Sequence, residues 1–138
     1  SGQLISPTNL TFSTNTSTSC MTMLTNGNIG IGTSSPNYKL DVNGTIRANE
    51  IIVNTTGADF VFAEDYKLRP LSEVKAFIQE NKHLPEIKSA QEMQENGVGI
   101  NELQTQLLQK IEELTLYILQ QEEMISNLNY RIQKLEQE

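Results

Sequence analysis

The last part of the chain, residues 100–138, repeats its apolar residues with a period of seven, and this repeat constrains the fold more than any other feature. Isoleucines recur at heptad position a and leucines at position d, with alternating spacings of four and three. A helix with this pattern carries one apolar stripe along its length, which is typical of a coiled coil. At about 1.5 Å of rise per residue, roughly 38 residues give a helix of about 57 Å. The predicted oligomerisation core is Leu107, Ile111, Leu114, Ile118, Gln121, Ile125, Leu128, Ile132 and Leu135.

The heptad pattern alone does not determine how many helices form this coiled coil. Isoleucine at a with leucine at d favours a parallel dimer. However, apolar residues extend to the flanks of the stripe, with Leu103, Tyr117 and Met124 at position g and Leu108 at position e. This widening suits three strands, or helices of the preceding region that pack against the coil. A single helix lying on a globular body is a third interpretation, but little other chain is present to bury so long a helix. Gln121 would cost stability in the core and could fix the register.

The first region, residues 1–57, is rich in Ser, Thr, Asn and Gly, and we expect it to form short strands separated by turns. Asn26-Gly27 predicts a tight hairpin of type I′. Gly30 and Gly32, on either side of Ile31, indicate that two backbones approach closely. Such short strands are not stable alone, so we expect an intertwined β-region with pairing between chains. The predicted strands are Leu10–Ser13, Met21–Leu24, the segment around Ile29–Ile31, Leu40–Val42 and Ile46–Val53.

The middle region, residues 58–99, reads as a connector with two short helices. The first is expected at about residues 71–82, with Ser72 as its N-cap. The second is expected at about residues 89–96, because Ser89 and Glu92 have the spacing of a capping box and Gly97 follows as a stop signal. The sequence thus predicts an α+β fibrous architecture in three parts: strands, connector and coiled coil.

Several classes of function are not favoured by the sequence. A net charge of −7 argues against nucleic-acid binding, and no apolar run is long enough to predict insertion in a membrane. Cys20 and His83 are the only residues of their types, so we expect no catalytic residues and no enzyme activity. Asp59, Glu64 and Asp65 lack the spacing of a calcium loop. We therefore expect no metal and no cofactor.

Two groups of motifs resemble a known family. Residues 26–36 (NGNIGIGTSSP) and 38–44 (YKLDVNG) are similar to a repeat in tail-fibre-domain proteins of phages and Bacteroidetes-type bacteria. The C-terminal segment of the same proteins is similar to residues 65–68 (DYKL) with Pro70-Leu71, residues 81–87 (NKHLPEI) and residues 107–117 (LLQKIEELTLY). The resemblance extends over most of residues 10–125.

The resemblance implies the end of a homotrimeric fibre, with a C-terminal module similar to the intramolecular chaperones of phage tail spikes and fibres. Such modules hold three chains in register, and some release themselves by autoproteolysis. This chain has no Ser-Asp junction of that kind, so a self-cleaving chaperone is an alternative rather than the expectation. A receptor- or glycan-binding tip, with adhesion through loops such as Thr33–Asn37, is a further alternative. We expect the chain to associate with itself, as a trimer first and a dimer second, in a virion tail fibre or at a cell surface.

Overall fold

The structure, a computed structural model, describes residues 8–13 and 20–137. The remaining residues of the predicted strand and coiled-coil regions lie outside this range. Four strands come first: β1 (Leu10–Phe12), β2 (Met21–Met23), β3 (Ile29–Ile31) and β4 (Leu40–Val42). A short 3-10 helix, Asp59–Phe62, is followed by α1 (Leu71–Asn81), α2 (Ala90–Asn96) and α3 (Ile100–Leu135). The chain divides into two compact units, Ser1–Ile51 and Ile52–Glu138, and the predicted α+β class is confirmed.

Among its described residues, the first unit contains one sheet of four strands in the order β1-β2-β3-β4. β2 pairs antiparallel with both β1 and β3, whereas β3 and β4 are parallel. Thr22 of β2 lies opposite Gly30 of β3, and both are buried. The predicted close approach at the glycines is confirmed, because a Cβ on Gly30 would lie 2.3 Å from the carbonyl oxygen of Thr33. Only glycine avoids this clash.

The hairpin between β2 and β3 has a longer turn than the sequence predicts. A type I′ turn needs positive φ at both Asn26 and Gly27. Here Gly27 has φ of 82°, and Asn26 is not among the residues with positive φ. Leu24 donates its N–H to the carbonyl of Asn28, which leaves a three-residue loop with glycine in the left-handed position. The side chain of Asn26 accepts the N–H of Asn28 at 2.9 Å, and this contact stabilises the wider loop.

The predicted strand at residues 46–53 is not formed. No backbone hydrogen bond joins this segment to another part of the described chain. Ile46, Ile51 and Ile52 are exposed. An extended segment with no partner backbone cannot be counted as a strand, which is why the local pattern of apolar residues was insufficient here.

The two connector helices begin differently from each other. α1 begins at Leu71, and its N-cap is Pro70 rather than the predicted Ser72. The carbonyl of Pro70 accepts the N–H groups of Glu73 and Val74, so no side-chain cap is present. α2 has the predicted capping box, in which the Ser89 hydroxyl accepts the N–H of Glu92 and the Glu92 carboxylate accepts the N–H of Ser89.

The second unit is organised along α3, a helix of 36 residues that is about 54 Å long. The 3-10 helix packs against α3. Ala58, Val61, Pro85 and Tyr117 are the buried apolar residues of this unit within the described chain. So small a core stabilises the connector against one part of α3 and leaves most of the helix surface uncovered.

Candidate self-association surface

The predicted oligomerisation core lies on α3 as one continuous exposed stripe, which we call the seam. In the single chain each of its eight leucines and isoleucines exposes between 47% and 70% of its surface. Gln121 is also exposed. Because positions a and d of successive heptads lie on one face of a helix, the structure brings these nine residues into one row. The members are Leu107, Ile111, Leu114, Ile118, Gln121, Ile125, Leu128, Ile132 and Leu135.

The connector packs mainly on the side of α3 that faces away from the seam, and it reaches the edge of the seam at position g. Residues of α3 that are buried or half-buried occupy only heptad positions b, c, f and g, at Leu103, Thr105, Gln106, Gln109, Lys110, Glu112, Glu113, Leu116 and Tyr117. Positions a, d and e remain exposed over the whole helix. From Ile118 to Gln137 every residue of the described chain is exposed. The fold therefore leaves every residue of the seam exposed.

Tyr117 shows how the connector is attached to the helix. Its side chain is buried, and its hydroxyl donates to the carbonyl oxygen of Arg69 at 2.5 Å. Burial is the main reason that the pKa of Tyr117 is raised. In the sequence this residue counted as part of a widened apolar stripe. The structure shows that it is covered by its own chain, so Tyr117 gives no support to three strands.

A polar network beside Tyr117 joins the connector to α3. Lys110 contacts the carboxylates of Glu86 at 2.5 Å and Glu113 at 3.0 Å. The hydroxyl of Tyr66 donates to Glu113 at 2.5 Å, and Gln109 donates to the same carboxylate at 2.8 Å. The side chains of Lys110 and Glu113 are only 12% and 13% exposed. Charged groups so shielded from water need such partners, so this network fixes where the connector sits.

The pKa values in this network follow from the contacts. Burial and the hydrogen bond to Glu113 raise the pKa of Tyr66 to about 12. The hydrogen bond from Lys110 lowers the pKa of Glu86. Burial acts to raise the pKa of Glu113, but hydrogen bonds from Tyr66, Gln109 and Lys110 outweigh it, and the net shift is downward. Both carboxylates are therefore held in their charged form, which is the form that Lys110 binds.

Sequence reasoning missed this network. Lys110 and Glu113 lie three positions apart, a spacing at which opposite charges pair on one helix face. That signal was visible but pointed only to a local ion pair. Tyr66 and Glu86 reach the helix across 47 and 24 residues of sequence, and no local pattern carries such a contact.

Glu112 lies buried on α3 close to the 3-10 helix. Its Oε2 atom has no hydrogen-bond partner within the described chain. Burial, and to a smaller extent the charge of Asp59, raises the pKa of Glu112. A carboxylate in this position destabilises the docked connector when it is charged, because it loses water without gaining a donor.

His83, the histidine singled out in the sequence, follows the end of α1 and is not part of the seam. The ring of His83 lies edge-on against Phe77, with ring centres 5.4 Å apart, and its Nδ1 lies 3.0 Å from the carbonyl oxygen of Leu84. These contacts give His83 a packing role at the end of α1. Within residues 8–13 and 20–137, no three potential ligands among His, Cys, Asp and Glu gather as a metal site would require.

No protein-family profile, curated protein or solved structure matches the chain. What the fold defines is an α+β protein in which a four-stranded sheet precedes short helices and a long C-terminal helix. Among the residues that the structure describes, no helix is both long and apolar enough to cross a membrane.

Proposed function

We propose that this chain is a structural assembly module at the C-terminal end of a homotrimeric tail-fibre-like or surface-fibre protein. Three α3 helices associate in parallel through the seam and thereby set the register of the three chains. The observation that carries the proposal is the position of the connector, which packs on the outer side of α3 and leaves positions a and d uncovered along the helix.

The uncovered seam provides the driving force for association. Full burial of a leucine or isoleucine side chain contributes about 1.5–3 kcal/mol. The seam side chains still expose about half of their surface or more. Burial of that surface on association would therefore contribute on the order of 1 kcal/mol from each side chain. Summed over eight positions this is about 8 kcal/mol per chain, before the entropy cost of association is subtracted. An isolated helix without such burial is only marginally stable in water.

Three strands are favoured over two by the residues that remain exposed beside the seam. Leu108 at position e and Met124 at position g are both exposed. In a trimer the e and g positions lie closer to the core than in a dimer, so these two side chains gain more burial. The resemblance to trimeric tail-fibre proteins points in the same direction, and a dimer is the second choice. Gln121 would align the three chains at a single polar layer.

The order of assembly follows from how far apart in sequence the contacting residues are. Helical contacts are local and form quickly, whereas strand pairing over longer separations is slow. In this proposal the coil associates first, and the β-region then pairs among chains that are already in register. The module would act in a virion tail fibre or at a cell surface, and it performs no catalysis.

Truncation of α3 tests the proposal. Light scattering should give the mass of a trimer for the intact chain and a smaller mass after deletion of residues 100–138. Because that deletion also removes the surface on which the connector packs, a second variant should lack only residues 120–138. It keeps Tyr117 and every other α3 residue that the connector buries. A folded oligomer of unchanged size in both truncated forms would overturn the proposal.

A further inference from the structure

A cavity of about 370 Å³ lies between the connector and α3, directly beside the seam. Leu68, Leu71 and Leu84 of the connector contribute apolar lining, and Leu114 of the seam closes one side. Lys110 and Tyr117, both at heptad position g, also line it. The cavity therefore lies on the g side of the seam. Leu71 and Leu84, which line it, are both partly exposed to water in the single chain.

Leu119 is an apolar residue that the heptad pattern does not explain. It occupies position b, which usually faces solvent and carries a polar residue. In the single chain 56% of its surface is exposed. Position b borders position e, so Leu119 lies on the flank of the seam opposite to the cavity.

Parallel packing brings these two features together in neighbouring copies. In a parallel coiled coil, position g of one helix faces position e of the next helix, five residues further along the chain. Lys110 and Tyr117 thus face Thr115 and Glu122 of the neighbouring copy. Along the coil axis, Leu119 of that copy lies between Thr115 and Glu122. Because it occupies position b, it lies further from the axis than these two residues at position e. With the chains in register, that position is about 3 Å further along the coil than Tyr117, which lines the cavity.

We propose that the cavity receives Leu119 of the adjacent copy, so that each connector contacts the α3 helix of the next chain. The inference rests on the proposed parallel coil and adds a second layer of contact outside it. It accounts for three facts together: the apolar cavity on the g side, the exposed Leu71 and Leu84 at its wall, and the exposed leucine at an outward heptad position. In a closed ring, three such contacts would resist rotation of the helices about their own axes.

Chemical cross-linking between introduced cysteines tests this contact. In a Cys20→Ser background, Leu71→Cys and Leu119→Cys are combined in one chain and treated with a short bismaleimide. The expected product is a covalent trimer on a denaturing gel. The matched control combines Leu71→Cys with Gln120→Cys. Gln120 is exposed at position c, on the same side of α3 as its own connector. It should link only within one chain and run as a monomer.

The outcomes separate the inference from the proposed function, provided that the mass of the unmodified protein is measured in parallel. A trimer in solution that gives no intermolecular product with Leu119→Cys overturns the inference and leaves the proposed function intact. Equal intermolecular yield from the Gln120→Cys control also overturns the inference. A monomer in solution overturns both. A covalent dimer would support the contact and replace the trimer by two strands.

Discussion

Replacement of Ile118 by alanine isolates the contribution of a single seam layer. Full burial of an isoleucine side chain contributes about 1.5–3 kcal/mol. Ile118 is 61% exposed in the single chain, so its burial on association should contribute roughly 1–2 kcal/mol. Three copies lose this together, which gives about 3–6 kcal/mol per trimer. At about 1.4 kcal/mol per factor of ten, the dissociation constant of the trimer should rise roughly 10²- to 10⁴-fold.

Sedimentation equilibrium over a dilution series measures this shift directly. Alanine has the highest helix propensity, so the Ile118→Ala variant should keep its helical content while it dissociates at higher concentration than the parent chain. Gln120→Ala is the matched control, because it changes the same helix two residues away without touching the seam. The control should dissociate like the parent.

Two results would refute the reasoning about the seam. The first is an Ile118→Ala variant whose mass depends on concentration as the parent's does. The second is an equal effect from Gln120→Ala, since this would mean that general helix stability rather than seam burial controls association.

Three further substitutions test the interior of each unit. Tyr117→Phe removes the hydrogen bond to Arg69 and should lower the free energy of unfolding by about 1 kcal/mol in urea titration. Glu112→Gln should raise the melting temperature at pH 7 but not in acid. The raised pKa of Glu112 favours folding when the group is protonated, and that contribution is lost as pH rises through the raised pKa. An increase in the melting temperature of Glu112→Gln that is largest in acid would contradict this prediction. Gly30→Ala should destabilise the sheet, because the new methyl group would overlap the carbonyl oxygen of Thr33, and a loss of β-signal in circular dichroism would report it.

Features with a local cause were predictable from the sequence. The long helix was predicted over residues 100–138 and observed at Ile100–Leu135, because the seven-residue repeat alone identifies an amphipathic helix. The capping box at Ser89 and Glu92 was found for a similar reason, since both partners lie within one helical turn. The first connector helix lies within a residue of its predicted bounds at each end, although its N-cap is Pro70 and not the predicted Ser72.

Features that depend on distant contacts were not predictable in this way. The strand expected at residues 46–53 needed a partner backbone, and no described segment supplies one. The network around Lys110 joins residues from three separate parts of the chain. Each of its members is an ordinary polar residue when read alone. Their meaning appears only when the connector folds back on α3.

The widened apolar stripe shows where sequence periodicity reaches its limit. The sequence shows an apolar residue at position g, but it does not show whether its own chain or a neighbouring chain buries that residue. The structure separates the two causes: the connector buries Tyr117 and half-buries Leu103, while Leu108 and Met124 stay exposed. Only the exposed pair can now favour three strands over two. Leu108 lines a groove with Thr55, Leu107 and Ile111, so it borders the seam itself. Position e is more deeply buried in a trimer than in a dimer, so Leu108 would gain more burial in the trimer.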